Sequence, residues 1–183
     1  MSEAGQDAGT GPTPEQLDTV LARLTAGAED SAQSRLLDPL IGDWQTESVW
    51  EPFVGHGLRR SKQRTENRWI LGGRTLESRT FDDAGEEQLR LLLSFDPSSA
   101  YYAAYAVHTL STFFTLERGT WNDETRSLVL DGSEPVPGGR PPIRYQRSIH
   151  VLSDDEHAVS IGYPDVAPGT YGPMFTTHHR ERR

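Results

Sequence analysis

Residues 88–119, QLRLLLSFDPSSAYYAAYAVHTLSTFFTLERG, decide the fold. They hold three strand-like runs, at 88–95, 100–108 and 111–119, separated by very short gaps. In the first run Leu89, Leu91, Leu93 and Phe95 share one face, with Leu92 as the apolar exception on the other. In the third, Phe113 and Thr115 lie opposite Phe114 and Leu116, so both faces are partly apolar. Period-2 alternation between turn signals such as Asp96-Pro97 reads as β-structure. Parallel neighbours would need crossovers of about a dozen residues, and the gaps leave no room for them. The runs are therefore successive antiparallel strands.

The same punctuation continues in both directions. Further runs lie at 43–51, 61–70, 74–81, 126–132, 143–152, 157–163 and 171–180. Between them stand Gly72-Gly73, a turn around Gly85, Asn122-Asp123, a loop from Ser133 to Pro142, and Asp154-Asp155. About ten strands in chain order favour a closed barrel, because closure removes exposed edges. Upstream, Thr13, Pro14 and Gln16 form a helix start, and Leu17, Val20, Leu21 and Leu24 make a one-sided stripe expected to dock on the sheet. A shorter helical piece reaches Leu37, with Leu36, Leu37, Leu40 and Ile41 as its buried side. The expected organisation is a disordered tail over 1–12, a helical segment over 13–41 and a barrel over 42–183. The fold class is mainly β, an antiparallel up-and-down barrel with an N-terminal helix.

Composition narrows the function. The 183 residues include 18 basic and 27 acidic side chains, a net charge of −9, which argues against a nucleic-acid or anionic-membrane binder. No run approaches the roughly 20 apolar residues of a membrane span, and the N-terminal stretch has no secretory pattern. The chain has no cysteine, so thiol nucleophiles, thiolate metal sites and disulfides are excluded. A cytoplasmic protein is expected.

The candidate site residues follow from the strands. Tyr101, Tyr102 and Tyr105 with Phe113 and Phe114 are candidates to line a lumen, since tyrosine joins an apolar body to a hydroxyl. Glu77 and Arg79, with Glu66, Arg68, Glu117 and Arg147, sit mid-strand. They are either polar anchors for a ligand or outward-facing ion pairs. His108 and Glu117 are the candidates for acid–base work. The histidines lack chelate spacing, so no metal site is expected, although convergence of His108, His150 and one of His178 or His179 would make one. No nucleotide loop or nucleophile elbow is present.

Two features carry a family resemblance. Leu40-Ile41-Gly42-Asp43-Trp44 resembles the G-x-W opening of calycin barrels, the lipocalin-like and fatty-acid-binding-protein-like group. Trp69-Ile70-Leu71-Gly72-Gly73-Arg74-Thr75-Leu76-Glu77 resembles the leucine-glycine-glycine-arginine turn of a bacterial domain-of-unknown-function family, number fifteen seventy-nine. Ser94-Phe95-Asp96, Glu117-Arg118-Gly119, Arg144 to Arg147 and a terminal-strand arginine follow in the same order. The resemblance covers about residues 36–183. It implies a calycin-like barrel and no established reaction. It further implies closure by a basic side chain over Trp44, supplied by Arg180 with Arg182 as the alternative. Nitrobindin-type haem barrels, which are relatives, carry alternate glycines after this opening, where Gln45-Thr46-Glu47-Ser48-Val49 stands here. His178 or His179 stands where such barrels place their iron ligand.

The expected function is a barrel holding a partly apolar small organic ligand, with no cofactor. Alternatives are a cyclase, isomerase or lyase using the lumen, and a haem-binding barrel. A homodimer is expected because several strands look apolar on both faces.

Overall fold

The computed structural model describes residues 13–26, 31–51, 54–109, 112–136, 140–165 and 172–181. The expected tail over 1–12 lies outside them. Helices α1 (Pro14–Ala26) and α2 (Ala32–Arg35) and a 3-10 turn (Asp38–Leu40) precede ten strands. These are β1 (Gly42–Trp50), β2 (Arg59–Ile70), β3 (Thr75–Phe81), β4 (Glu87–Asp96), β5 (Tyr101–His108), β6 (Phe114–Asn122), β7 (Ser127–Val136), β8 (Arg140–Val151), β9 (Glu156–Gly162) and β10 (Met174–Arg180). Each strand pairs antiparallel with the next, and β1 pairs with β10, so the sheet closes into an up-and-down barrel.

Local chemistry explains the turns. Asp82 accepts the Ala84 and Glu86 N–H groups ahead of Gly85, whose φ is +83°. Asp96 accepts Ser98 N–H, and Asn122 accepts Thr125 N–H. Short side chains that bind backbone two or three residues on are turn formers for this reason. The Ser133–Pro142 stretch departs from expectation. Both strands run through it, and the register shifts between Glu134 and Val136. Pro135 sits at that irregularity, where a strand tolerates a missing N–H.

The two ends of the barrel differ. At one end the α2 segment and 3-10 turn insert Leu37 and Leu40, which pack on Leu76, Leu93, Tyr102, Leu128 and Leu130. The plug is tied down by polar contacts. Tyr102 donates to the Gln33 carbonyl at 2.6 Å, and Trp69 Nε1 donates to Asp38 at 2.8 Å. The Leu40 carbonyl accepts from Trp44 Nε1 at 2.9 Å and Asn67 Nδ2 at 2.8 Å. The capping box of α1 is present, with Thr13 and Gln16 each donating a backbone N–H to the other's side chain. Its expected docking is not: Leu17, Val20 and Leu21 are 48%, 50% and 59% exposed. A periodic stripe specifies a helix, and nothing in it specifies which surface the stripe meets. The Leu24 side chain lies outside the described residues.

Closure rests on Arg180. Its guanidinium carbon lies 4.3 Å from the centroid of the Trp44 ring. Nη1 donates to Ile41 O at 2.7 Å, Nη2 to Pro39 O at 3.1 Å and Nε to Asp154 O at 2.7 Å. Gly42, at φ +148°, lies beneath, and a Cβ there would collide with Arg180 Nη1. Replacing Arg180 by Ala removes the stack, worth roughly 0.5–2 kcal/mol, and leaves carbonyls unpaired. The expected loss is about 3 kcal/mol, or roughly 6–12 °C in Tm for a domain of this size. Arg118→Ala, which removes an outer-face arginine over Tyr101, should shift Tm several-fold less in the same circular-dichroism melts.

Candidate functional site

Inside the barrel lies a cavity of about 1100 Å³. It runs from the plug, where Leu40 and Leu76 face it, to the end bearing the β1–β2 and β3–β4 connections, where Glu51 and Asp83 face it. Small inward residues keep it open: Ala104 and Ala106 are the buried face of β5. It slightly exceeds the roughly 300–1,000 Å³ typical of ligand pockets.

Two polar clusters interrupt its apolar wall. The first spans β6, β7 and β8. Arg147 grips Glu117 as a fork, with Nε to Oε2 at 2.8 Å and Nη2 to Oε1 at 2.9 Å. Tyr145 donates its hydroxyl to Glu117 Oε1 at 2.7 Å. Glu117 and Tyr145 flank Gly132 in register, and a Cβ on Gly132 would lie 2.6 Å from the Tyr145 ring. Only glycine lets the tyrosine cross to the carboxylate. Burial pushes the Tyr145 hydroxyl far above its ordinary range, with the Glu117 charge adding to it. Burial also raises Glu134, which lines the cavity nearby.

The second cluster spans β9, β10, β1, β2 and β3. His157 stacks on His178 with centroids 4.1 Å apart and rings 10° from parallel, and meets the Trp44 ring edge-on at 4.3 Å. His178 Nδ1 lies 3.0 Å from Thr46 Oγ1. Thr46, Thr65 and Thr80 then form a hydroxyl chain across three strands at 2.9 and 3.0 Å. Burial, reinforced by the neighbouring imidazole, lowers His157 to about 2; burial with His179 lowers His178 to about 4.

The strand faces sort the expected site residues. Tyr102 points inward, but its hydroxyl is bound to Gln33 at the plug. Phe113 and His108 line the cavity away from the plug, with ring centroids 5.9 Å apart. Burial lowers His108, with Arg147 contributing. Tyr101, Tyr105, Glu77 and Arg79 lie on the outer face and do not reach the lumen. Tyr101 sits under Arg118, and Tyr105 stacks on Phe114 at 4.9 Å. Arg79 binds Glu87, and Arg90 pairs with both Glu87 and Glu77. The Arg64 and Arg79 guanidinium carbons each lie 4.8 Å from the centroid of the Phe81 ring. Arg90 and then Arg79 hold Glu87 down at about 2.

The acid–base expectation for Glu117 meets the same geometry. Its two oxygens already accept three hydrogen bonds, so it is a structural carboxylate. The three histidines of the metal expectation, His108, His150 and His178 or His179, do not converge. His150 lies on the outward face of β8, His179 is exposed, and His108 is at the opposite end of the lumen from His178. Among the described residues no three metal-ligating side chains come together. The haem alternative would rest on His178, which lines the cavity with its Nδ1 at Thr46 Oγ1 and its ring stacked on His157. Sequence reasoning passed over Gly132 and the threonine chain. An Arg in the otherwise apolar row Ile143, Tyr145, Ile149 was the available signal for the buried pair.

A closed ten-stranded antiparallel barrel, plugged at one end and hollow within, defines the calycin-like class. Residues 29–180 match the family described as Protein of unknown function (DUF1579), and the chain belongs to that family. The crystal structure of Rv2717c from M. tuberculosis is similar in fold, with a TM-score of 0.58 at 18% identity, covering 84% of this chain and 100% of that one. No curated protein matches the chain. No helix among the described residues is long and apolar enough to cross a membrane.

The histidine stack predicts an acid-sensitive barrel. A histidine whose folded pKa is depressed contributes its stability above the unfolded value, 6.5. That stability is lost as pH falls, because the unfolded chain takes up protons that the folded chain refuses. Glu134, raised by burial, acts in the opposite sense, so the comparison between variants is the readout. Wild type should lose several degrees of Tm from about pH 7 to about pH 5, and His157→Phe should lose clearly less. Parallel slopes would contradict this.

Proposed function

We propose that the protein binds a small, largely apolar organic molecule in its lumen. The observation that carries this is the cavity itself, about 1100 Å³ inside a barrel sealed at one end. Leu89, Leu91, Val159 and Ile161 offer its walls apolar surface, and Tyr145, Arg147 and Thr115 offer polar groups on one side. A mostly apolar concavity with a few placed polar groups is the usual form of a ligand site. The absence of cysteine supports a cytoplasmic setting.

Nile red, a neutral apolar dye, tests the reading. Ala106 faces the cavity and Tyr105 faces out from the same strand. Ala106→Trp should weaken dye binding at least about tenfold by filling space, while Tyr105→Ala should leave it unchanged. Equal affinity in wild type and Ala106→Trp would place the dye outside the lumen and end the proposal. A Soret band in the purified protein would replace it with the haem reading.

We also propose a homodimer. On adjacent outer faces of β5 and β6, Val107, Phe114 and Leu116 are exposed beside Tyr105. We assign this patch to a second copy of the chain, since two-fold self-pairing is the commonest closed assembly. Light scattering should give twice the chain mass for wild type and the single mass for Leu116→Arg. A single mass for both would contradict the dimer.

A further inference from the structure

Resting on the lumen-binding reading, we propose that the cavity selects an uncharged ligand bearing a hydrogen-bond acceptor, a ketone, ester or amide carbonyl, and that the Glu117–Arg147 pair enforces the choice. Arg147 is nearly buried, with an 11% exposed side chain, and Glu117 is wholly buried at 0%. The guanidinium has Nε and Nη2 committed to Glu117, and its Nη1 has no partner among the described residues. Arg147 lines the cavity, whereas Glu117 lies behind it and Tyr145. The lumen therefore offers a donor group without a net charge behind it.

This arrangement discriminates by charge. A carboxylate head would approach a cation already neutralised, with Glu117 behind it and Glu134 within electrostatic reach of both. It would lose its hydration for no net opposite charge, which is the unfavourable case for a buried ion. An ammonium head would meet Arg147 first; Glu117 beside it already accepts three hydrogen bonds, and burial biases the nearby Glu134 toward its neutral form. A carbonyl oxygen accepts from Nη1 and brings no charge. Tyr163, Phe113 and Leu89 then offer surface to the apolar body. The hydroxyl chain of Thr46, Thr65 and Thr80 is satisfied internally and adds no charge.

Displacement of Nile red by three molecules of equal chain length separates the cases. At pH 7.5, 2-dodecanone should compete at least about tenfold more tightly than dodecanoate or dodecylamine. Glu117→Gln keeps the shape and an acceptor for Arg147 but removes the neutralising charge. In that variant dodecanoate should gain at least about tenfold relative to 2-dodecanone. Dodecanoate competing in wild type as well as the ketone does would overturn the inference while leaving lumen binding intact. A wild-type preference for the ketone with no swing in Glu117→Gln would overturn the assignment to this pair. If Glu117→Gln fails to fold by circular dichroism, the wild-type comparison decides alone. Failure of Nile red and all three probes to bind would withdraw the lumen reading and the inference together.

Discussion

The guanidinium of Arg180, laid over the Trp44 ring at 4.3 Å, turns a meander of strands into a barrel. Ten antiparallel strands in chain order could equally lie as an open sheet with two exposed edges, which invite association. Arg180 joins the last strand to the first and binds the carbonyls of Pro39 and Ile41, which precede β1. Buried backbone carbonyls need partners, so the same side chain also fixes where the plug enters. Trp44 completes the arrangement, because its indole N–H holds the Leu40 carbonyl while its ring carries the cation. Gly42 is the steric condition for it, since a side chain there would occupy the space of Nη1.

Sealing one end determines what the interior can be. The plug side is packed with leucines and aromatic rings, whereas the middle layers are lined by Ala106 and hydroxyl-bearing residues that do not fill the space. Glu117 and Arg147 enter this interior as a matched unit. Burying Glu117 alone would be costly, and burying it under an arginine fork and a tyrosine hydroxyl is tolerable. Gly132 makes that unit possible by leaving room for Tyr145 to reach across. The interior is thus hollow, mostly apolar and electrically balanced at its charged pair, which suits uncharged organic guests.

Much of the architecture was legible in the residue pattern. The period-2 alternation of Leu89, Leu91 and Leu93 and the short gaps forced antiparallel neighbours. The Trp44 and Arg180 pairing followed from a resemblance combined with the position of an arginine at the end of an alternating strand. The site was less legible, for definable reasons. On β5 tyrosines occur on both faces, so parity alone could not say that Ala104 and Ala106 point inward while Tyr101 and Tyr105 face out. Glu77 and Arg79 sit on a strand whose two faces are similarly polar, and cross-strand partners on β4 settled their side. Ser133 to Pro142 read as a loop, which hid the paired ends of β7 and β8, and nothing in the pattern of the run 126–132 marked Gly132 as the glycine that the tyrosine crosses. The α1 stripe was correctly placed on a helix, but docking is a tertiary property that the stripe does not encode.

The lumen is the proposed place where an uncharged guest is held. A crystal structure of the protein grown with Nile red tests this most directly. The account predicts one dye molecule inside the barrel with its carbonyl oxygen in hydrogen-bonding range of Arg147 Nη1. Dye seated instead on the outer face of β5 and β6, or in the lumen with its carbonyl turned away from Arg147, would contradict it.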